Sequence, residues 1–274
     1  MRISLERPVK IVMLGAGGTG AYAAPHIYRL LHVLDRPARF IIADGDTVEA
    51  KNLVRQNFIN ADLGENKAKV LAERYATAFG MEIEYIPEFI ENEDRLRKLV
   101  TPDSISHSFI TTAQFARGVK PSAMFRNLVI LIGAVDNNKS RQMCHRIFKS
   151  MEELIYIDSG NGEYTGQVVC GIRRNSRTYY KPAGDLYPDI LLETDKFPTE
   201  LSCAEAAVSA PQSIAANIMA AAAVTSYVYN ILVLGVVDVR SVTFSSRTLN
   251  IKPIITQKRA SGSKGGVKTR KNTA

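Results

Sequence analysis

The chain is poor in the features that mark secreted, membrane-spanning and zinc-bound proteins. It has three cysteines in 274 residues, Cys144, Cys170 and Cys203. They are odd in number and far apart, which argues against a disulfide framework. No C-x-x-C pair is present to build a structural zinc site. No uninterrupted apolar run reaches the ~18 residues of a membrane helix. The nearest, Ile214 to Val237, is interrupted by Asn217 and Asn230 and reads as a buried helix. The opening segment Met1-Arg2-Ile3-Ser4-Leu5-Glu6-Arg7 has no apolar signal core. These absences predict a cytoplasmic protein with no membrane partner.

Acid is also missing from the end of the chain. The formal charge is +8, but Lys258, Arg259, Lys264, Lys268, Arg270 and Lys271 sit in an acid-free stretch, and without them the body carries +2. Rich in Gly, Ser, Lys and Thr, residues 258–274 read as a disordered basic tail. Such a tail suits weak contact with nucleic acid and equally a purely solubilising role. Residues 1–257 are long enough for one large domain with a sizeable core.

That domain alternates strand and helix. Val9–Leu14 reads as a buried strand, and 19–34 as the helix after it, with apolar positions at helical spacing. Further strands are expected at 39–43, 82–86, 128–134 and 154–158, and helices at 66–79, 94–100 and 140–151. The pattern specifies an α/β, Rossmann-like, doubly wound and mostly parallel sheet with helices on both faces. Beyond it, 167–173 alternates like a half-exposed strand, and the polar, proline-bearing stretch 174–202 reads as a long crossover loop. The alanine-rich 204–234 reads as a helix broken near Pro211, and 240–246 as a late strand. Residues 101–127 resist assignment and read as an insertion.

The chemistry concentrates between residues 15 and 56. The turn Gly15-Ala16-Gly17-Gly18-Thr19-Gly20 follows the first strand and opens a helix. Gly15, Gly17, Gly18 and Gly20 allow a tight turn and close approach to a phosphate at a helix N-terminus, although such a turn also exists without a ligand. Asp44 closes the second strand, where an acid can hold both ribose hydroxyls or stand as a solvated turn residue. Asp46 reads as a turn or capping residue. Asn52, Arg55 and Gln56 follow in fixed register. Arg55 can grip phosphate oxygens bidentately. Lys67 begins the next helix, a position its charge disfavours unless a phosphate is near, and Lys69 is its rival. Asp136 and Asn137 lie just past the fourth strand, the end at which open α/β sheets bind ligands. Asp136 can hold Mg²⁺, while Asn138 can equally be a helix cap and Arg141 a surface charge.

Taken together, Gly-x-Gly-Gly-x-Gly, Asp-x-Asp-x-Val-x-x-x-Asn-Leu-x-Arg-Gln, Lys-Ala and Asp-Asn-x-x-x-Arg resemble the ThiF/MoeB/ubiquitin-activating (HesA/MoeB/ThiF) superfamily. The likeness is strong over 9–158 and looser through Cys203. More narrowly, the chain resembles the ThiF-related proteins of PRTRC cassettes. This resemblance implies an adenylyltransferase that uses ATP and Mg²⁺ to activate the C-terminal carboxylate of a small ubiquitin-like (β-grasp) or sulfur-carrier protein. Carried over by position, Asp44 would bind the ribose, and Asn52, Arg55 and Lys67 the phosphates, while Asp136 would hold the metal. Some relatives take the acyl group onto a loop cysteine, the place of Cys203 here. Cys144 and Cys170 read as packing residues. Relatives are commonly homodimers that lend an arginine across the interface, for which Arg2 and Arg7 are the stand-ins. The paired C-x-x-C motifs of many relatives are missing.

Two other readings share part of this pattern. An NAD-dependent oxidoreductase would use the glycine turn and Asp44. It would leave Asn52, Arg55, Gln56 and Lys67 unexplained, and no His/Tyr constellation for hydride transfer is evident. A non-catalytic module would keep the fold as a scaffold and use its basic tail on nucleic acid.

Overall fold

A computed structural model describes residues 1–105, 125–192, 195–201 and 212–255. The expected doubly wound core is present. β1 (Val9–Leu14) leads into α1 (Gly18–His32), β2 (Ala38–Ala43), α2 (Lys67–Phe79), β3 (Tyr85–Ile86) and α3 (Glu93–Val100). β4 (Ser104–Ile105) and β5 (Phe125–Arg126) form a small separate hairpin pair. Then come β6 (Leu128–Gly133), α4 (Asn138–Ser150), β7 (Leu154–Asn161), β8 (Thr165–Arg174) and β9 (Arg177–Tyr180). The chain ends its described part with α5 (Ile214–Tyr229), a π-helical turn (Asn230–Leu234), β10 (Val239–Ser245) and β11 (Asn250–Ile255).

The main sheet runs β11-β10-β8-β7-β6-β1-β2-β3, with β9 paired to the end of β8. From β3 to β7 all pairings are parallel. From β7 outward they are antiparallel. The parallel strands β1 and β6 are buried along their whole length, which is why they read as unbroken apolar runs rather than alternating ones. β1 stands between β2 and β6, so the chain leaves it in opposite directions. Their carboxyl ends open a crevice at this switch point.

One side of the sheet is covered by α1 and α5. Both present small residues there, Gly18, Gly20, Ala21 and Ala24 from α1 and Ala216, Ala220 and Ala221 from α5. Small side chains let the two backbones approach closely. Ile214–Leu234 has the length and composition of a membrane span, but its inner face is packed against α1 and the sheet, while Ile214, Ile218, Tyr229 and Leu234 on its other side are exposed.

Several expectations need correction. The third strand shrinks to Tyr85–Ile86, although Met81 to Tyr85 alternate apolar and polar residues. The fifth extends to Asn161, since β8 folds back on it and supplies partners that a parallel strand would lack. The polar stretch read as a loop contains β9 and a helical turn at Ala183–Leu186. A second late strand, β11, was not expected. Most of the unassigned stretch (106–124), the start of the alanine-rich helix, Cys203 and the basic tail lie outside the described residues.

Candidate active site

The glycine turn is shaped mainly by contacts with its neighbours. Gly15 has φ +94°, and a Cβ there would lie 2.4 Å from the Ala134 carbonyl oxygen. A Cβ on Gly18 would meet the Asn217 amide at 2.4 Å, and one on Gly20 the Gly15 carbonyl oxygen at 2.1 Å. Gly17, the N-cap of α1, differs: its nearest neighbour would be Gln56 Nε2 at 3.7 Å. Gly15, Gly17 and Gly18 line the cleft, whereas Gly20 does not. The expected ligand role for Gly20 is therefore corrected to a packing role.

Asp44 closes β2 as expected, and its carboxylate is buried. It accepts the Ala16 N–H at 2.5 Å and the Asp46 N–H at 2.8 Å, which ties the end of β2 to the glycine turn. Burial pushes its carboxyl up to about 6, against the nearby Lys67 ammonium and with Asp46 adding to the rise. Lys67 is itself buried, and its Nζ donates to Asp46 Oδ2 at 2.7 Å. Asp46 thus holds an ion pair as well as a turn. Asn66 caps α2 by accepting the Lys69 N–H and fixes the loop by donating to the Asp44 carbonyl. Lys69 pairs with Glu65 and lies outside the cleft, so of the two rivals Lys67 is the one at the site, where Lys51 and Lys196 also line the cleft.

Between Asp46 and α2 the chain makes a 3₁₀ turn, Ala50–Asn52. Buried Asn52 accepts the Glu49 N–H at 2.8 Å and holds the turn closed. The register then brings Arg55 and Gln56 to the cleft. Arg55 Nη1 donates to Gln212 Oε1 at 3.0 Å. A neutral amide holds the guanidinium without cancelling its charge. Gln56 is buried, and its Oε1 has no hydrogen-bond partner among the described residues.

At the end of β6, Asp136 is exposed at the cleft mouth. Asn137, not Asn138, is the helix cap: its Oδ1 accepts the Ser140 N–H at 2.8 Å. The Asn138 N–H goes to Asp195 Oδ2 at 2.7 Å. Arg141 is not a surface charge. It is largely buried and donates to the Val135 and Ser159 carbonyls at 3.1 and 2.9 Å, stitching the Asp136 loop to the end of β7. Its Nε lies 4.0 Å from the fully buried Asp158. Among the described residues the Arg141 Nε and the Ser159 hydroxyl have no hydrogen-bond partner.

These elements enclose a cleft of about 920 Å³, at the large end of ligand sites. Gly15, Gly17, Gly18, Asp44, Asn52, Arg55, Gln56, Lys67, Asp136 and Asn137 all line it. Sequence reasoning missed the opposite side, where Ser159, Asn161, Gln167 and Gln212 contribute neutral polar groups. It also missed Asp158. The one available signal was an acid closing the apolar run Leu154–Ile157, just as Asp44 closes β2.

Cys144 and Cys170 are buried, and burial pushes both thiols up to about 12. They are packing residues. Arg7 is spent elsewhere: it donates to the Arg126 and Asn127 carbonyls and to Glu153, at the starting ends of β6 and β7 and away from the cleft. Arg2 makes a backbone bridge to Val236.

A crevice at the carboxyl ends of a doubly wound parallel sheet, lined by a glycine turn and by the cations Arg55, Lys67 and Arg141, marks a nucleotide-binding class of fold. The chain belongs to the ThiF family, whose profile matches residues 5–259. Its fold is also that of solved proteins. PaaA is 18% identical with a TM-score of 0.59, over 90% of this chain and 64% of PaaA. Escherichia coli MccB with ATP is 17% identical with a TM-score of 0.56, over 94% of this chain and 67% of MccB. MccB with AMPCPP and MccA gives 16% and 0.57, over 90% of this chain and 63% of MccB. The chain thus spans about two thirds of the length of these neighbours. No curated protein matches it.

Proposed function

We propose that this protein adenylates a carboxylate with ATP. The observation that carries the reading is the convergence of the glycine turn, Asp44, Asn52, Arg55, Gln56, Lys67 and Asp136 on one cleft. Family membership and the likeness to MccB, solved with ATP, support it. The glycine turn would receive phosphate oxygens on free N–H groups, and Asp44 would accept the ribose hydroxyls. Arg55, Lys67 and the spare Arg141 N–H would spread the charge of the triphosphate. A carboxylate oxygen attacks the α-phosphorus, the bond to the β-phosphate oxygen breaks, and pyrophosphate leaves with its electron pair. This demands charge neutralisation and in-line placement more than proton transfer.

Among the described residues no three His, Cys, Asp or Glu side chains gather to hold a metal. Mg²⁺ would therefore rest on Asp136 together with phosphates and water, the usual manner of that ion, and would supply further neutralisation of the phosphates. The carboxylate belongs, in this reading, to the C-terminus of a small ubiquitin-like or sulfur-carrier protein, with the chain acting as a cytoplasmic homodimer of the PRTRC type. Cys203 is the candidate for later acyl transfer. The oxidoreductase alternative explains the turn and Asp44 but gives the cations no task.

ATP–pyrophosphate exchange tests the proposal. Exchange should appear only with a carboxylate-bearing partner and should be lost in Arg55→Ala. Normal exchange by Arg55→Ala would remove the phosphate role from this cleft.

A further inference from the structure

Asn217 is fully buried on the first turns of α5, behind the cleft lining rather than in it. A buried asparagine on an alanine-rich helix needs partners for both ends of its amide, and here it has them. Its Nδ2 donates to the Arg55 carbonyl at 2.9 Å. Its Oδ1 accepts Asn161 Nδ2 at 2.8 Å. Asn161 Oδ1 in turn accepts the Thr19 hydroxyl at 3.2 Å. The amide also fills the space where Gly18 would carry a Cβ, 2.4 Å away.

One buried side chain therefore touches three separate pieces of the cleft: the Arg55 segment, the β7–β8 turn and the glycine turn. Five residues before it, Gln212 holds the Arg55 guanidinium. The entrance of α5 grips Arg55 at both backbone and side chain, and the segment between Asn52 and α2 has no strand or long helix of its own to hold it.

We infer that Asn217 is a positioning residue, which sets the distance between the Arg55 cation and the glycine turn by bonding the Arg55 carbonyl while abutting Gly18. It acts through Arg55 and touches no reactant. The inference rests on the nucleotide reading for its effect on ATP, but not for its effect on the apo protein.

Two readouts separate the two claims. In the full-length protein, ATP affinity is measured by calorimetry for the wild type, Asn217→Ala, Arg55→Ala and the double variant. Asn217→Ala should weaken ATP binding about tenfold, the scale of one buried hydrogen bond, and should add little to Arg55→Ala, because coupled residues are non-additive. Asn161→Ala, at a half-buried position at the end of β7, should act in the same non-additive way with about a threefold effect. In parallel, amide hydrogen exchange of the apo protein should speed up about tenfold at residues 53–57 in Asn217→Ala, with the sheet unchanged. Wild-type affinity in Asn217→Ala, full additivity with Arg55→Ala, or unchanged exchange at 53–57 would each overturn the inference. If the wild type fails to bind ATP, the adenylation reading falls, and the exchange measurement alone decides the role of Asn217.

Discussion

The two walls of the cleft are built from different chemistry. One wall comes from residues 15–67 and is charged: Asp44, Asp46 and Lys67 stand around the glycine turn, with Asp44 accepting the Ala16 and Asp46 N–H groups and Lys67 donating to the Asp46 carboxylate. The other comes from β7, β8 and the entrance of α5 and is neutral, with Ser159, Asn161, Gln167 and Gln212 facing the same space. Arg55 bridges them. Its sequence position belongs to the first wall and its hydrogen bonds to the second. Charge placed on one side and uncharged donors on the other suits a site that must hold a polyanion firmly and still let a second reactant slide past. Lys67 sharpens the contrast, since its partner is a carboxylate that a phosphate has to outcompete, while the partner of Arg55 is an amide that leaves the cation whole.

The comparison breaks most visibly at Arg55. Arg55→Ala should lower the rate of ATP–pyrophosphate exchange by about 10²–10³-fold, the range for losing one preorganised charge-stabilising donor. A drop below fivefold would mean that the charged wall does not act on the phosphates. Gly20→Ala tests packing rather than chemistry. Its Cβ would lie 2.1 Å from the Gly15 carbonyl oxygen, and overpacking of this kind costs about 1–3 kcal/mol, so calorimetric unfolding should show a lower Tm whether or not ATP is added.

Asp44 gives a pH signature. Its carboxyl, raised by burial to about 6, must be ionised to accept two ribose hydroxyls. ATP affinity should therefore fall as pH drops through about 6, and Asp44→Asn should bind about tenfold more weakly with that step removed. The stability effect has the opposite sense. A carboxyl raised in the folded state binds a proton there that the unfolded chain has released, so its contribution to stability is full below about 4 and is lost as pH rises through about 6. An affinity that stays flat between pH 5 and 7 would rule out Asp44 as the ribose acceptor. The smallest effect is expected at Gly17, the one glycine of the turn with open space around it. Gly17→Ala should leave Tm within about 1 °C and weaken ATP a few-fold, because the added methyl occupies the cleft and not the protein.

The charged wall was legible in the sequence because its residues are local. Turn glycines, an acid closing a strand, and Asn52, Arg55 and Gln56 in register are all separated by short stretches of chain, and each answers to one turn or one helix end. Lys67 against Lys69 was decided by the side of α2 that faces the sheet. The neutral wall was not legible. Asn161 ends β7, Gln212 stands just before α5 and Asn217 on its first turn, and nothing in their neighbours distinguishes them from ordinary polar residues. Arg141 and Asn138 could not be placed for the same reason: which asparagine caps α4, and whether Arg141 faces solvent, is open until the end of β7 is known to lie alongside.

The sequence by itself determined the alternation of strands and helices and the charged groups that follow the strand ends, because periodicity and turn chemistry act over a few residues. Only the tertiary structure decided that β8 turns back to make half the sheet antiparallel, that three of the four turn glycines answer to packing, and that α5 supplies the amides behind Arg55. The packing at Gly18 and the hold on Arg55 join residues more than a hundred positions apart, Gly18 with Asn217 and Arg55 with Gln212, and such contacts leave no mark in the order of the chain.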